Sequence, residues 1–147
     1  MSRVLLLDSG PLGMLARARP IPALRAWVRT QLDAGHRLGI PEIADYEIRR
    51  ELLLARLQTS LNALNVLQAE LDYLPITTPI LRHAATLWAT VRQQGMPTAD
   101  RHALDADVII AATAQLLTED GYDVIVATTN VGHLSRLTTA QPWQEIT

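Results

Sequence analysis

The segment that most constrains the fold lies near the start of the chain, where residues 4–13 read VLLLDSGPLG. Four consecutive apolar residues are followed by Asp8, Ser9 and the turn-forming pair Gly10-Pro11. A short apolar run closed by turn residues is typical of a strand that is buried on both faces inside a parallel sheet. Asp8 then lies at the carboxyl edge of that sheet, where ligands bind in open α/β folds.

Strand and helix signals alternate along the rest of the chain. Further short strands are predicted at residues 37–40, 73–76, 124–127 and 142–146. Helices are predicted at residues 21–34, 41–57, 59–71, 78–95 and 105–117, with a loop at 94–97 and a helical turn at 131–137. Two helices follow one another only between the second and third strands. This order predicts a single α/β domain over residues 1–147, with a parallel sheet flanked by helices.

The composition excludes several classes of protein. The chain of 147 residues contains no cysteine, which excludes disulfides and thiolate metal sites. No apolar run approaches the ~20 residues of a membrane-spanning helix, and no signal-peptide pattern is present, so we expect a cytoplasmic protein without a membrane anchor. The net charge of −2 does not indicate a nucleic-acid-binding protein. All 13 basic residues are arginine, which suits phosphate and carboxylate partners but is also explained by biased codon composition.

Three acidic residues fall at strand ends or near helix starts. Asp8 ends the first strand, Glu47 lies in the helix after the second strand, and Asp107 opens the helix that precedes residues 124–127. These points can converge on one edge of a parallel sheet. Two unit charges ~4 Å apart repel by about 4 kcal/mol at an effective dielectric constant near 20, so such a cluster must bind protons or a cation. Oxygen ligands without thiolate favour Mg²⁺ or Mn²⁺.

The segment LDADVIIAATA, residues 104–114, carries two acids that cannot both face the same site from within a helix. Asp105 and Asp107 are two positions apart, which is about 200° around a continuous helix. We therefore predict that Asp105 is the N-cap and that Asp107 faces the site. Asp107 is the better ligand candidate, and both a capping role and a ligand role stay open for Asp105.

These segments resemble the PIN-domain family of metal-dependent ribonucleases, and most of all the bacterial VapC-type toxins. The similarity spans nearly the whole chain and is carried, in order, by LLLDSGPLG, IADYEIRREL, DADVIIAATA and VATTN. It implies a three-layer α/β/α, PIN-like fold whose first strand is central in a sheet of about five strands. It implies that three acids, Asp8, Glu47 and Asp107, bind Mg²⁺ or Mn²⁺ and activate water for RNA cleavage, with Asp105 as an accessory acid. Among them we expect Asp8 and Asp107 to bind the ion directly, and Glu47 to bind it through water or to orient the nucleophile. It also implies an RNA substrate, a cognate antitoxin protein and a homodimer.

The chain departs from the family pattern at one place. Family members often carry an acid three residues after the asparagine of the late turn, and here His133 stands three residues after Asn130. The missing acid leaves a second reading open, in which the chain is a catalytically degenerate PIN-like module that binds RNA or a protein partner. Ser9, Asn130 and His133 are accessory candidates, and each has a turn-forming or surface role as its alternative.

Other candidates also have structural alternatives. Asp8 can hydrogen-bond its own backbone in a turn. Glu47 can be a solvated helix residue, and Glu51 shares its helix face one turn later. Asp45 and Arg49 are predicted to pair on the outer face of the same helix. The leucine stripe over residues 57–71 can belong to the core or form a surface for a dimer or an antitoxin.

Overall fold

The computed structural model describes residues 2–95, 101–132 and 134–147 and places them in a sheet covered by helices. Strands β1 to β5 are Arg3–Leu7, Arg37–Pro41, Asp72–Leu74, Asp123–Thr128 and Ala140–Pro142. Helices α1 to α6 are Ser9–Leu15, Pro22–Asp33, Glu42–Leu54, Gln58–Glu70, Thr78–Gln93 and Arg101–Glu119. Two short 3₁₀ turns, Leu134–Arg136 and Trp143–Glu145, flank β5.

The sheet is parallel throughout, in the order β3-β2-β1-β4-β5. The predicted five-stranded parallel sheet with the first strand at its centre is therefore confirmed. From β1 the chain adds β2 and β3 on one side, and later β4 and β5 on the other. The carboxyl ends of β1 and β4 therefore flank the topological switch point, where open α/β sheets bind their ligands.

Both faces of the sheet are covered, as the unbroken apolar run of β1 predicts. Leu5 and Leu7 pack into one core layer with helices α1 to α4 and the C-terminal residues. Val4 and Leu6 point to the other layer and pack against α6. A third cluster fills the contact between α5 and α6. In the part of the chain that the structure describes, no helix combines the length and apolar character needed to cross a bilayer.

After β1 the chain enters a helix directly, and the predicted turn at Gly10-Pro11 is wrong. Helix α1 begins at Ser9, and its N-cap is Asp8. Proline is tolerated at Pro11 because the backbone N–H groups of a first helical turn have no partner within the helix. Gly10 is explained by close packing, since a Cβ at this position would overlap the side chain of Thr129.

Helix α6 begins at Arg101, so the prediction that Asp105 is an N-cap is wrong. The sequence RHAL before Asp105 contains good helix formers, which extend the helix by four residues. In this continuous helix Asp105 and Asp107 lie about 200° apart and face different sides. Helix α5 ends at Gln93, and Gly95 follows with a φ of 65°. Residues 96 and 97 of the predicted loop lie outside the described residues.

The predicted strand at residues 142–146 is displaced toward the N-terminus. Strand β5 is Ala140–Pro142, and the following residues form a 3₁₀ turn. Trp143 is buried and meets Trp27 of α2 edge to face, with ring centroids 6.0 Å apart. The Nε1–H of Trp27 donates to the carbonyl oxygen of Ile146 at 2.9 Å. The packing of these residues against α2 decides their conformation.

Helices α3 and α4 form the predicted consecutive pair, and Arg49 of α3, which also pairs with the buried Asp45 on the same helix, joins them. Arg49 donates from Nε and Nη2 to the two carboxylate oxygens of Asp45, at 3.1 and 3.0 Å. It also donates from Nη1 to Asn65 of α4, at 2.9 Å. The predicted pairing is therefore confirmed, but it faces α4 and Asp45 is 6% exposed. The outer-face location was wrong because α4 covers this side of α3.

The leucine stripe of α4 is mostly core. Leu61 and Leu64 are buried, and Leu67 and Leu71 pack against the same core layer. Leu57, at the connection between α3 and α4, is half exposed. The prediction that this stripe belongs to the core is thus confirmed for the three leucines within α4 and for Leu71, which follows the helix.

We predict that Arg49→Met lowers the free energy of unfolding by about 2–3 kcal/mol, because it leaves the buried Asp45 carboxylate without its cation. Urea denaturation measures this loss. The matched control is Arg29→Met, which removes the ion pair between Arg29 and Asp33. These two residues are also four positions apart on a helix, but their side chains are 79% and 71% exposed. That control is expected to change stability by no more than about 0.5 kcal/mol. Equal losses in both variants would contradict a special role for the buried pair.

Candidate metal centre

Asp8 lies at the point where β1 becomes α1. Its backbone N–H donates to the carbonyl oxygen of Ala127 at 3.0 Å, which extends the β1–β4 ladder by one bond. Its carboxylate Oδ1 accepts from the backbone N–H of Ser9 at 2.8 Å. Burial raises the pKa of Asp8, and hydrogen bonds from Thr128 and Ser9 oppose that rise. Asp8 can both hydrogen-bond the local backbone and serve as a ligand, because its contact with the Ser9 N–H leaves other lone pairs of the carboxylate free.

Thr128 holds the second oxygen of Asp8. Its side chain is fully buried at the end of β4, and its hydroxyl donates to Asp8 Oδ2 at 2.8 Å. The same hydroxyl accepts from the backbone N–H of Asn130 at 3.0 Å, which fixes it in a tight turn. The sequence analysis does not single out Thr128, although it directly follows the predicted strand 124–127. Its role can be recognised only from the strand order, which brings β4 beside β1.

Glu47 projects toward Asp8 from α3. Burial raises the pKa of the Glu47 carboxyl, as does the nearby Asp8 charge, while Arg50 lowers it. The start of α3 is fixed to β3 and to the segment that follows it, because Glu42 accepts hydrogen bonds from the Tyr73 hydroxyl and the Ile76 backbone N–H, both at 2.9 Å. This contact fixes the start of the helix on which Glu47 lies five residues later.

Glu51, the alternative to Glu47, has an exposed side chain. Its carboxylate is 3.9 Å from the Nε of Arg50, a surface ion pair. Glu47 is half-buried and is electrostatically coupled to Asp8. The placement favours Glu47 over Glu51 as the acid of this site.

Asp107 completes the group from α6. Burial raises the pKa of Asp107 to about 6, and the charges of Asp8 and Glu47 add to the effect. The three acids therefore act on one another, although they come from separate elements of the chain. Alanines at 106, 111, 112 and 114 are buried along the same helix, which lets α6 lie close to its neighbours.

Repulsion among these carboxylates makes the site a candidate for cation binding. Within residues 2–95, 101–132 and 134–147, no three or more Asp, Glu or His side chains are close enough to hold a metal ion by themselves. Mg²⁺ commonly uses only one or two carboxylates and keeps several waters. The all-oxygen donor set fits such an ion, which would need few direct ligands.

Asp105 is not brought together with these acids. Its side chain is exposed and lines a groove between α5 and α6, beside Leu81, Trp88 and Ile109. The reason is the helical phase that separates it from Asp107.

The other accessory candidates have different placements. Ser9 is the first residue of α1 and its backbone N–H binds Asp8. Asn130 is exposed, and its backbone shapes the turn around Thr128. His133 lies outside the described residues, so its accessory role stays a prediction.

Solved structures with this fold support the same reading of the architecture. One chain of the VapBC2 structure from Rickettsia felis, bound to a DNA fragment from the promoter, matches with a TM-score of 0.75 and 14% identity, over 95% of this chain and 98% of that one. FitAcB from Neisseria gonorrhoeae matches with a TM-score of 0.70 and 22% identity, over 97% of this chain and 99% of that one. A toxin–antitoxin complex from Klebsiella pneumoniae matches with a TM-score of 0.62 and 18% identity, over 97% of this chain and 99% of that one. The chain has a PIN-like fold.

The PIN-like fold thus rests on shape over nearly the whole chain. No family model and no curated protein matches the sequence. The identities of 14–22% to these structures support a common fold, and the assignment of chemistry depends on the residues of this PIN-like domain.

The raised pKa of Asp107 predicts a stability that falls as pH rises. The folded state keeps the Asp107 proton up to about pH 6, whereas the unfolded chain releases it near the ordinary value of 3.8. Stability attributable to this group is therefore lost between these two values, and the full cost remains above them. Without divalent ions, Asp107→Asn should raise the free energy of unfolding at pH 7.5 by about 1–2 kcal/mol, a range that allows for solvent screening of a half-buried group.

Denaturation in EDTA at several pH values measures this effect. The gain from Asp107→Asn should shrink toward zero near pH 3.5. Asp105→Asn, an exposed change two residues away, should alter stability by less than about 0.5 kcal/mol at every pH. A variant Asp107→Asn that is no more stable than the parent at pH 7.5 would contradict the electrostatic account.

Proposed function

We propose that this protein is a metal-dependent endoribonuclease that hydrolyses RNA phosphodiester bonds, and that it is the toxin of a toxin–antitoxin pair. The observation that carries the proposal is the convergence of Asp8, Glu47 and Asp107 at the carboxyl edge of the sheet. The PIN-like fold shared with chains of toxin–antitoxin complexes supports it, as does the motif order of the sequence.

In this proposal Asp8 and Asp107 bind Mg²⁺ or Mn²⁺ directly, and Glu47 contacts the ion through water. When bound, the divalent ion lowers the pKa of its water and offsets charge that builds on the phosphate. Asp8 suits the ligand role because Ser9 and Thr128 each use one lone pair of its two oxygens and fix its plane. A carboxylate held this way loses little further freedom on binding a cation.

Glu47 is proposed to orient the attacking water and accept its proton. Burial and the charge of Asp8 raise the Glu47 pKa, which makes the carboxylate a stronger base than a solvated one. In this proposal, Asp8 and Asp107 therefore bind the metal ion, and Glu47 accepts the proton of the attacking water.

A partner protein and a second copy of the chain also belong to this proposal. The similar structures of Rickettsia felis and Klebsiella pneumoniae are named as complexes, VapBC2 and a toxin–antitoxin complex. We infer by analogy that a cognate antitoxin binds this chain and blocks the acidic site. The homodimer stays a prediction drawn from the family resemblance.

A second candidate function is a degenerate module that binds RNA or protein without cleavage. The observation in its favour is that Asp105 faces the α5–α6 groove and so does not replace the acid that the family carries at the position of His133. Metal binding separates the two functions.

For the nuclease, Asp8→Asn and Asp107→Asn should each lower Mn²⁺-dependent RNA cleavage by at least about 100-fold, because each removes a direct ligand, a larger change than losing an outer-shell partner. Cleavage of a labelled RNA on a denaturing gel gives the rate, and circular dichroism checks folding. Asp105→Asn is the control on the same helix and should cleave like the parent. If both ligand variants retain the parental rate, the assignment of these acids is wrong.

Calorimetric titration with Mn²⁺ tests the site without substrate. The parent should bind Mn²⁺ saturably, and Asp8→Asn should weaken the affinity at least about 10-fold. Glu51→Gln, which changes an exposed acid of the same helix as Glu47, should leave the affinity unchanged. Absence of saturable binding to the parent would favour the degenerate module over the nuclease.

A further inference from the structure

Tyr46 and Arg50 form an exposed aromatic–cation pair on α3. They are four residues apart, on the same face of the helix, and the guanidinium carbon of Arg50 lies 5.2 Å from the centre of the Tyr46 ring. Tyr46 remains 53% exposed despite this contact, and Arg50 is also exposed. The pair therefore presents an aromatic surface and a fixed positive charge to solvent.

This pair borders the acidic site. Around a regular helix, Arg50 lies about 60° and Tyr46 about 100° from the direction of Glu47. Residues three apart on a helix are neighbours on its surface, and the positive charge of Arg50 lowers the pKa of the Glu47 carboxyl. The order from the site toward solvent is thus Glu47, Arg50 and Tyr46.

Packing does not account for the pair. The adjacent Arg49 is engaged by Asp45 and by Asn65, and it joins α3 to α4. Arg50, by contrast, has a surface contact with Glu51 at 3.9 Å, a type of ion pair that contributes little to stability. A large aromatic side chain that is half exposed likewise gains little from burial.

Single-stranded RNA matches these two groups chemically. Proteins bind unpaired bases by stacking them on aromatic rings and on arginine planes, and bind phosphates through guanidinium groups. Three acids alone repel a phosphodiester, so a cation at their border assists the approach of the strand. Stacking on a ring is tolerant of sequence because every base has a π-face.

We propose that Tyr46 and Arg50 form a subsite for single-stranded RNA beside the acidic centre, in which the ring stacks against a base and the guanidinium contacts a backbone phosphate. The subsite rests on the proposed function for its substrate class. It assigns to α3 a second role, since the helix that carries Glu47 also holds the strand next to the bond that is cut.

The test is binding of a fluorescein-labelled, unstructured 12-nucleotide RNA, followed by anisotropy in EDTA so that no cleavage occurs. Tyr46→Leu should weaken binding at least about fivefold, and Tyr46→Trp should retain the parental affinity because the stacking surface is kept. Arg50→Gln should weaken binding and make it less dependent on salt, as expected for a lost phosphate contact. In Mn²⁺, the Tyr46→Leu variant should show a raised KM with a nearly unchanged kcat.

Matched controls come from the other end of the sheet and from α2. Tyr122, 44% exposed, lies just before β4 at the amino edge, and Arg29 is exposed on α2. Tyr122→Leu and Arg29→Gln should bind RNA like the parent.

Parental affinity in both Tyr46→Leu and Arg50→Gln would overturn the subsite, as would a parent that binds no RNA. Parental Mn²⁺-dependent cleavage in those variants, with KM also unchanged, would overturn the subsite and leave the nuclease intact. A parent that binds RNA through these residues but never cleaves it would retain the subsite and overturn the nuclease.

Discussion

Repulsion among Asp8, Glu47 and Asp107 is the constraint on which the rest of the site depends. Each carboxyl has a raised pKa because burial removes water, and the charges of the group act on one another. They stay together because β1, α3 and α6 are fixed by separate core layers on the two faces of the sheet. The clustered acids therefore lower the stability of the folded chain at the carboxyl edge of the sheet, an arrangement that is common at functional sites.

The register of the sheet fixes the position of the Asp8 carboxylate at this edge. Leu7 of β1 pairs with Ala127 of β4, so that the next residues along each strand, Asp8 and Thr128, become neighbours although 120 positions separate them. Thr128 can donate only one proton, and the Asn130 N–H occupies one of its lone pairs. The turn after β4 and the N-terminus of α1 therefore share one network around the Asp8 carboxylate, and the close approach at Gly10 keeps them in contact.

The sequence predicts those features that depend on local patterns and on the sheet rule. The apolar run before Asp8 predicts a central strand, and the carboxyl-edge rule then directs attention to Asp8, Glu47 and Asp107. Features set by distant contacts were missed. Pro11 suggests a break until the helix that starts at Ser9 is seen, Trp143 suggests a strand until it meets Trp27, and the role of Thr128 depends on the strand order.

The phase of α6 limits how many acids this site can hold. A rotation that brought Asp105 inward would carry Asp107 outward by the same angle, because one continuous helix bears both. The sequence predicts a cap at Asp105 because that position would lie outside the helical geometry that separates it from Asp107, but the helix begins four residues earlier and includes both acids. Among the described residues, a further ligand would thus have to come from an element other than α6. At the proposed metal site, fewer carboxylates would leave more water around a cation, an arrangement that Mg²⁺ tolerates well.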